Sequence, residues 1–350
     1  MKLKTLSIMT SVLFAISLFV YSNENRRGTD LLEGSEFIKG IDVNSIQKIK
    51  ISQGTKNISF SRDGNRFVLD SHKSYPASSE RLNNLIFSIS NILIQEKVES
   101  NASEDDLKDY RLSESDNQNL VEFFDKNDKK TLAFRVGKNH RKRGTYLLKE
   151  GTKDVYLSKN NVYINSSHKD FIDQLILKVS KSDVAEIITD NSDGVKIVQK
   201  DNKFQVMGPE GKIQEDKKVK EDLLNKLTSS LSRLEFKDYY SREDGTISNL
   251  VFTERLKLKL ENQLNYDLSL AQTKINNKLK HFVRVSADTG EMPTQVTVSQ
   301  NDGKEELQKI EDMIKTQSLS QQFNLNKGNW IYEIDKSAYE NLSRDLKEYL

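Results

Sequence analysis

The chain carries one sequence pattern twice, and this repetition limits the folds open to it more than any other feature. Residues 63–71 read DGNRFVLDS, and residues 200–208, which lie 137 positions later, read KDNKFQVMG. Matching positions keep this spacing over a long stretch, for example Phe67 with Phe204 and, within one residue, Leu85 with Leu223. Solenoid repeats have periods of about 20–50 residues, so the longer period indicates a duplicated domain.

Each copy begins with a pattern that predicts a three-stranded antiparallel meander. In the first copy, apolar and polar residues alternate in short runs, which are separated by Gly54 and by the pair Asp63-Gly64. Alternation with a period of two, interrupted by turn residues, is typical of strands joined by hairpins. The apolar positions are Ile46, Ile49, Ile51, Ile58, Phe60, Phe67 and Leu69 in the first copy, and Val184, Ile187, Val195, Ile197, Phe204 and Val206 in the second.

A helix is predicted after each meander. Following a turn at Pro76, apolar residues recur at helical spacing from Leu82 to Leu93, behind an N-cap at Ser78 or Ser79. An isolated helix of this length is marginal in water, so we expect its apolar stripe to pack on the meander of its own copy. The second copy has a turn at Pro209, Asp216 as the candidate N-cap, and apolar residues at Val219, Leu223, Leu224, Leu227 and Leu231.

The rest of each copy predicts a second meander and a closing helix. Helices are expected at Asp170–Val179 and Ser337–Tyr349, with the amphipathic segment Glu305–Thr316 as an insertion in the second copy. The last strand of the second copy is either Gln295–Ser299 or Asn329–Ile334, and we favour the latter because a predicted helix follows it. The other predicted strands are Leu120–Asp125, Thr131–Gly137, Thr145–Lys149 and Asp154–Ser158, then Leu256–Glu261, Tyr266–Ala271 and His281–Ser286.

These patterns predict an α+β protein built from two tandem copies of one meander-plus-helix unit, behind an N-terminal membrane segment. The predicted divisions are a transmembrane anchor or signal peptide over residues 1–22, a linker over 23–40, the first copy over 41–180 and the second over 181–350.

The N-terminal segment has the layout of a chain handled by the secretion machinery. Lys2 and Lys4 precede an apolar run from Leu6 to Tyr21, which is near the short limit for a membrane-spanning helix. The run is either a retained anchor or a signal peptide cut after Ser22; we favour the anchor because no Ala-x-Ala site is present. We therefore expect a single-pass inner-membrane protein whose bulk lies on the periplasmic, extracytoplasmic side.

Composition excludes several kinds of chemistry. The chain contains no cysteine, which excludes disulfides, thiolate nucleophiles, Cys-based zinc sites and lipid attachment at a mature N-terminal Cys. Lysine and arginine total 54 against 52 aspartate and glutamate, a formal charge of +2. Because nucleic-acid-binding proteins usually carry a basic excess, we expect no nucleic-acid partner.

No sequence motif in the chain indicates a particular enzymatic reaction. GxSxG, P-loop and GxGxxG patterns are absent from the sequence, and the acidic run Glu104-Asp105-Asp106 is expected to begin a short helix, where carboxylates favour the positive end of the dipole. The four histidines have no metal-site spacing and are expected as solvent-facing or turn residues: His72, His140, His168 and His281. We therefore expect a non-enzymatic protein with no catalytic, cofactor-binding or metal-binding residues.

One basic connection between two predicted strands suggests a binding surface. Its side chains either meet anionic lipid headgroups or an acidic partner, at about 1 kcal/mol for each basic residue, or form a solvated hairpin tip that discourages edge pairing. The sole tryptophan, Trp330, is expected to fill the core of the second copy. The candidate contact residues are Lys138, His140, Arg141, Lys142 and Arg143.

Several short motifs give the chain a family resemblance. The sequence resembles the bacterial domain of unknown function 4340 family over most of residues 40–350. The family usually has Gly after the Tyr of its DLxxY motif, whereas Arg111 stands here, and the turn at this point is expected to differ. The motifs are DGNRFVL, Tyr75-Pro76-Ala77, DDLKDYRL at Asp105–Leu112, Gly137-Lys138, TYLL and VYL.

The resemblance implies a role but no active site. Members resemble this chain in having an N-terminal membrane segment and tandem copies, and they tend to be encoded near an ABC-type export permease and a gliding-motility-type auxiliary protein. We therefore expect a non-enzymatic, membrane-anchored accessory or scaffold protein that works with such a complex. The alternative is a periplasmic ligand-binding protein with its ligand between the two copies.

Overall fold

The chain divides into two compact units in a computed structural model, the first ending at Ile172 and the second beginning at Asp173. The predicted membrane segment (residues 1–22), most of the linker and the alternative strand Gln295–Ser299 lie outside the described residues. Within the described part of the chain, no helix combines the length and apolarity needed to cross a membrane. The structure describes residues 33–40, 42–115, 119–141, 144–190, 192–201, 203–290 and 304–350.

Unit 1 combines nine strands with two α-helices among its described residues. Short 3-10 helices at Val43–Ser45, Asp70–His72 and His168–Phe171 complete it. In chain order the main elements are β1 (Lys48–Gln53), β2 (Lys56–Asp63), β3 (Arg66–Leu69), β4 (Tyr75–Pro76), α1 (Ser79–Ser90), β5 (Ile94–Glu99), α2 (Glu104–Asp109), β6 (Asn119–Phe124), β7 (Lys130–His140), β8 (Gly144–Lys149) and β9 (Val155–Ser158).

The nine strands form one antiparallel sheet in the order β4-β3-β2-β1-β6-β7-β8-β9-β5. The pairing of β1 with β6 joins the two predicted meanders of the first copy. Ile49 lies opposite Phe60 of β2 on one side and Phe123 of β6 on the other. Residues directly opposite each other share a face of the sheet, and all three of these side chains are buried. The predicted strands of the first copy are therefore confirmed, and they share one apolar face.

Helix α1 confirms the predicted helix and the cap at Ser78, but it ends at Ser90, so Leu93 of the predicted stripe lies beyond it. Ser78 is the N-cap and its hydroxyl accepts a hydrogen bond from the Arg81 amide. Phe171 ties the start of the helix to the sheet, because its carbonyl accepts from the Ser78 amide at 2.7 Å and its ring meets Phe60 edge-on at 4.9 Å. The buried face of the helix consists of Leu82, Leu85, Ile86 and Ile89.

Unit 2 contains ten strands and three α-helices among its described residues. Single 3-10 turns lie at Lys181–Asp183, Gly245–Ile247 and Leu346–Tyr349, and a π turn at Asn324–Gly328. In chain order its main elements are β10 (Leu175–Leu177), β11 (Val184–Thr189), β12 (Lys196–Lys200), β13 (Lys203–Met207), α3 (Glu221–Ser232), β14 (Leu234–Glu235), β15 (Asp238–Ser241), β16 (Glu254–Leu260), β17 (Asn265–Ile275), β18 (Lys278–Asp288), α4 (Lys304–Phe323), β19 (Trp330–Ile334) and α5 (Lys336–Leu342).

Eight strands of unit 2 form an antiparallel sheet in the order β13-β12-β11-β16-β17-β18-β19-β15, and β10 pairs with β14 separately. The choice of Asn329–Ile334 as the last strand is confirmed, because β19 pairs with both β18 and β15. Trp330 is buried, as expected, with its ring edge-on to Tyr239 at 5.6 Å. Both units are thus mixed α and β structures with a large antiparallel sheet.

The predicted helix at Asp170–Val179 is wrong. A single 3-10 turn, His168–Phe171, is followed by β10, which pairs with β14. The apolar residues of this segment fit helical spacing as well as a short buried strand, so periodicity alone did not decide between them. The segment forms a strand in the structure, because β10 pairs with β14 and Ile176 and Leu177 are both buried there.

Two other helix predictions need correction. Helix α3 begins at Glu221 with Lys220 as its N-cap, so the proposed cap at Asp216 is wrong. The Lys220 amide instead donates to the Tyr349 carbonyl at 2.8 Å, a long-range bond that no local pattern indicates. The closing helix predicted at Ser337–Tyr349 is shorter, since α5 ends at Leu342 and a 3-10 turn follows. The amphipathic insertion is longer than predicted and forms the whole of α4.

We predict that Ile89→Asp destabilises unit 1 by several kcal/mol, because it places an unpaired carboxylate at a fully buried position. Asn84→Asp is the matched control, since Asn84 lies on the exposed side of the same helix. Urea denaturation monitored by circular dichroism measures both variants. Equal midpoints for the two would show that the buried face of α1 does not hold the unit together.

Candidate binding sites

Four of the six family-like motifs meet in one place in unit 1, namely DDLKDYRL, Gly137-Lys138, TYLL and VYL. The turn after α2 lies against β7: the Tyr110 carbonyl accepts a hydrogen bond from the Lys138 amide at 3.0 Å. The ring of Tyr110 lies 4.6 Å from that of Tyr146 in β8. These two rings belong to an apolar cluster. It contains Ala102, Leu107, Leu112, Tyr146, Leu148, Val155 and Leu157, with Val98 and Tyr110 packed against it. These motif residues therefore build a packed layer over the sheet.

Helix α2 is held in this position by its own ends. Ser103 and Asp106 form a reciprocal capping box, in which the Asp106 carboxylate accepts from the Ser103 amide at 2.9 Å. These hydrogen bonds from Ser103 lower the pKa of Asp106. The acidic run Glu104-Asp105-Asp106 thus occupies the first turn of a short helix, as predicted.

Arg111 lies at a turn that favours glycine. Its φ of +56° is the left-handed conformation that Gly adopts easily, here taken by a bulkier residue. The expectation that this turn differs from the one in the family stays a prediction. The neighbouring contacts fix the turn, since the Leu112 amide donates to the Leu107 carbonyl at 2.7 Å and Leu112 itself is buried.

Gly137 is required by the close approach of this turn. A Cβ atom at Gly137 would lie 2.4 Å from the Tyr110 carbonyl oxygen and 3.0 Å from the Leu112 side chain. The backbone of β7 thus accepts the turn only where it carries no side chain, which gives a physical reason for the Gly-Lys motif.

We predict that Gly137→Ala destabilises unit 1 by about 1–3 kcal/mol, because the new methyl group would force the turn and the strand apart. Gly245→Ala is the matched control: a methyl group added at Gly245 would meet no neighbouring atom within 4 Å, so this replacement is expected to be nearly neutral. Thermal unfolding of the two variants provides the measurement. An undisturbed melting temperature for Gly137→Ala would contradict this account of the motif.

The basic connection forms the tip of the β7–β8 hairpin, where His140 pairs with Gly144. Lys138 and Arg141 are exposed, whereas Lys142 and Arg143 lie outside the described residues. His140 is only half exposed: its ring lies edge-on to Tyr146 at 5.7 Å, and its Nδ1 is buried without a hydrogen-bond partner in the described part of the chain. His140 is thus turned toward the motif cluster, and contact of the hairpin tip with an anionic surface stays a prediction.

Each histidine packs against another ring, so the expectation of solvent-facing histidines is wrong for His281, which is buried beside Tyr339 at 4.8 Å. His72 and His168 stack on each other at 3.9 Å, although they are far apart in sequence. Burial and the neighbouring His168 lower the pKa of His72 from its ordinary value of 6.5. Burial, followed by the charge of Lys336, lowers the pKa of His281. Among the described residues, no group of three or more His, Asp or Glu is placed to hold a metal ion.

We predict that acidification destabilises the fold through His72 and His281. Because their folded pKa values are lowered, the unfolded chain binds more protons; the stability is fully present above about pH 6.5 and is lost as the pH falls through the folded pKa values. Urea midpoints measured at about pH 7.5 and about pH 5 should differ less in His72→Gln/His281→Gln than in the unmodified chain. An unchanged pH dependence in the double variant would show that these rings do not contribute.

Unit 2 has a polar pocket of about 410 Å³ on one face of its sheet. Its floor is a cross-strand row in which Arg255 of β16 lies opposite Ser269 of β17, and Ser269 opposite Arg284 of β18. Asp267 lies on the same face and holds Arg255, whose Nε donates to the carboxylate oxygens at 2.8 and 2.9 Å. This pairing raises the pKa of Arg255. The walls include Asp190, Arg242, Phe252 and Glu254.

The other two arginines of the pocket are held by neutral groups. The guanidinium of Arg284 lies over the Phe252 ring, 4.4 Å from its centre, and Arg242 donates to the Gly328 carbonyl. Sequence reasoning missed this pocket, because a basic residue on the polar side of a strand looks like an ordinary solvent-facing residue. The available signal was that Arg255 and Arg284 lie in or beside strands of one predicted meander.

Comparisons with known proteins identify the family and nothing more specific. The family model for a domain of unknown function, DUF4340, matches residues 68–250. Comparison with curated proteins and with solved structures gave no significant match. Because the family match covers more than half of the chain, and includes the α2 turn and its contact with Gly137, the protein belongs to the DUF4340 family.

Proposed function

We propose that this protein is a non-enzymatic accessory or scaffold subunit. It is anchored in the inner membrane by its N-terminal segment, lies on the periplasmic side, and works with an ABC-type export or motility complex. The observation that carries the non-enzymatic part is the use of the motif residues. The Lys138 amide donates to the Tyr110 carbonyl, the rings of Tyr110 and Tyr146 pack together, and Gly137 leaves the space that lets the turn lie on the sheet. Because these motif residues serve to pack a turn against the sheet, they support a structural role for the unit.

The proposal includes two tandem copies of one fold. Apart from β4, the strand order of unit 1 corresponds strand by strand to that of unit 2. The orders are β3-β2-β1-β6-β7-β8-β9-β5 and β13-β12-β11-β16-β17-β18-β19-β15. In both units an edge strand lies beside the last strand of the second meander. This edge strand is β5 in unit 1 and β15 in unit 2, and it comes after α1 or α3 in the chain. This agreement supports duplication, and it supports the sequence pairs Phe67 with Phe204 and Leu85 with Leu223.

Partner contact is proposed at surfaces that the sheets leave open. The β7–β8 tip presents Lys138 and Arg141 to solvent, and helix α4 exposes Leu307, Ile314 and Leu319 by 41%, 50% and 41%. Large apolar side chains on an exposed helix, together with a separate basic tip, are features of surfaces that contact other proteins. They suit a subunit that binds next to a membrane complex.

We predict that the protein fractionates with membranes, resists carbonate extraction, and is digested by protease only from outside the inner membrane. Phe14→Lys, within the apolar run, should release it into the soluble fraction, whereas Lys138→Gln should leave it membrane-bound. Carbonate-soluble protein beginning at Asn23 would replace the anchor with a cleaved signal peptide.

Affinity purification from detergent-solubilised membranes should recover an ABC-type permease or ATPase. Recovery of neither protein would overturn the accessory role.

A ligand-binding function is the alternative, and the polar pocket of unit 2 favours it. The pocket contains charged side chains from three adjacent strands as well as an aromatic wall. A volume of this size is in the range of pockets that hold small molecules. The two functions are compatible, because an accessory subunit can bind a small molecule in one of its units.

A further inference from the structure

The polar pocket of unit 2 occupies a position that is partly filled by an apolar cluster in unit 1. In unit 1 the cross-strand row reads Leu120, Arg135, Leu148 and Val155, and the last two belong to the cluster beneath the α2 turn. In unit 2 the row at the same strands reads Arg255, Ser269, Arg284 and Ile331. The residue opposite Val155 is a leucine, and the residue opposite Ile331 is an arginine. Unit 2 therefore has the charged Arg284 where unit 1 has the packed side chain of Leu148.

Arg284 and Ser269 have hydrogen-bonding groups that no other described residue uses. The Arg284 side chain makes no ion pair or hydrogen bond with another described residue, and its guanidinium packs on the Phe252 ring. Ser269 is 91% buried, since it is 9% exposed, and its hydroxyl has no hydrogen-bond partner among the residues described. Side chains directly opposite on paired strands have Cβ atoms about 4.5–5.5 Å apart, and both residues line the pocket, so both are within reach of one small ligand.

We propose that this pocket binds the carboxylate of a small zwitterionic molecule such as a short peptide. The Arg284 guanidinium and the Ser269 hydroxyl donate to the carboxylate oxygens. A planar guanidinium matches a carboxylate in a bidentate geometry, and Phe252 keeps the Arg284 plane in place. The inference stands on unit 2 alone and does not require a membrane partner.

The charges of the pocket favour a carboxylate over a phosphate and a zwitterion over a simple anion. Arg242, Arg255 and Arg284 share the pocket lining with Asp190, Glu254 and Asp267. With Arg255 paired to Asp267, the two remaining arginines face two remaining carboxylates, so a singly charged carboxylate leaves the pocket nearer to neutrality than a doubly charged phosphate. Asp190 is exposed, makes no hydrogen bond or ion pair within the described residues and acts on Arg255 only through its charge, so it is available to the ammonium group of the same ligand.

The test uses the purified full-length chain and the dipeptide alanylalanine as the probe, with titration followed by calorimetry or NMR. We expect saturable binding in the millimolar range or tighter. The C-terminal amide of the dipeptide should bind at least ~10-fold more weakly, because it lacks the charge that Arg284 recognises. The N-acetylated dipeptide tests Asp190 and should also bind more weakly. Absence of saturable alanylalanine binding, or tighter binding of inorganic phosphate, would overturn the proposal.

Variants locate the binding in this pocket. Arg284→Gln and Ser269→Ala should each weaken alanylalanine binding, by at least ~10-fold for the arginine, without changing the melting temperature. Arg233→Gln is the matched control, because Arg233 is an exposed arginine of unit 2 outside the pocket. Unchanged affinity in Arg284→Gln would place the binding elsewhere and overturn the proposal. Loss of peptide binding would leave the recovery of membrane partners unaffected, so this proposal and the accessory role fail separately.

Discussion

The pairing of β1 with β6, and of β11 with β16, is the interaction on which each unit depends. Each pairing joins two meanders that are far apart in sequence: Ile51 lies opposite Val121, and Ile187 lies opposite Leu258. A small meander alone is marginally stable, whereas one wide sheet buries its central strands. The helix between the meanders, α1 or α3, occupies the connection that this long-range pairing closes. The entropy of closing so long a loop grows only slowly with its length, so the long connection costs little more than a short one.

Once the two meanders are joined into one sheet, a second face of the second meander needs to be covered. In unit 1 the α2 turn covers it. The turn approaches β7 so closely that there is no room for a side chain at position 137, and Arg111 of the turn has a left-handed backbone conformation. The same constraint acts at Gly144 in the neighbouring strand, since a Cβ there would overlap the Ser158 carbonyl. Close backbone approach and packing therefore explain the motifs that meet at this turn.

Alternating strands and the amphipathic α1 could be predicted from the sequence, because each buries one face and shows a clear period. The edge strands β5 and β15 could not: IQEKVE and DYYS carry few apolar residues, since an edge strand is paired on one side only. The segment at Asp170–Val179 was misread because its apolar spacing fits two structures. The basic connection was predicted as a unit, yet His140 separates from it and packs on Tyr146. The stacked pair His72 and His168 depends on tertiary contacts that no local pattern encodes.

On the proposed duplication, the two units use corresponding positions of their sheets differently. In unit 1, Leu148 and Val155 use the face over the second meander for packing. Unit 2, whose strand order is the same apart from β4, has Arg284 at the corresponding position, and other residues cover the apolar part of its sheet. Ile247, Ala271, Phe282 and Ile331 do so, with Phe252 at the boundary between this cluster and the charged pocket. The ring of Phe252 thus serves both sides: it packs against the core and supports the guanidinium of Arg284. In the proposed site, the Phe252 ring fixes the plane of the Arg284 guanidinium, so that its parallel N–H groups can meet both oxygens of a carboxylate.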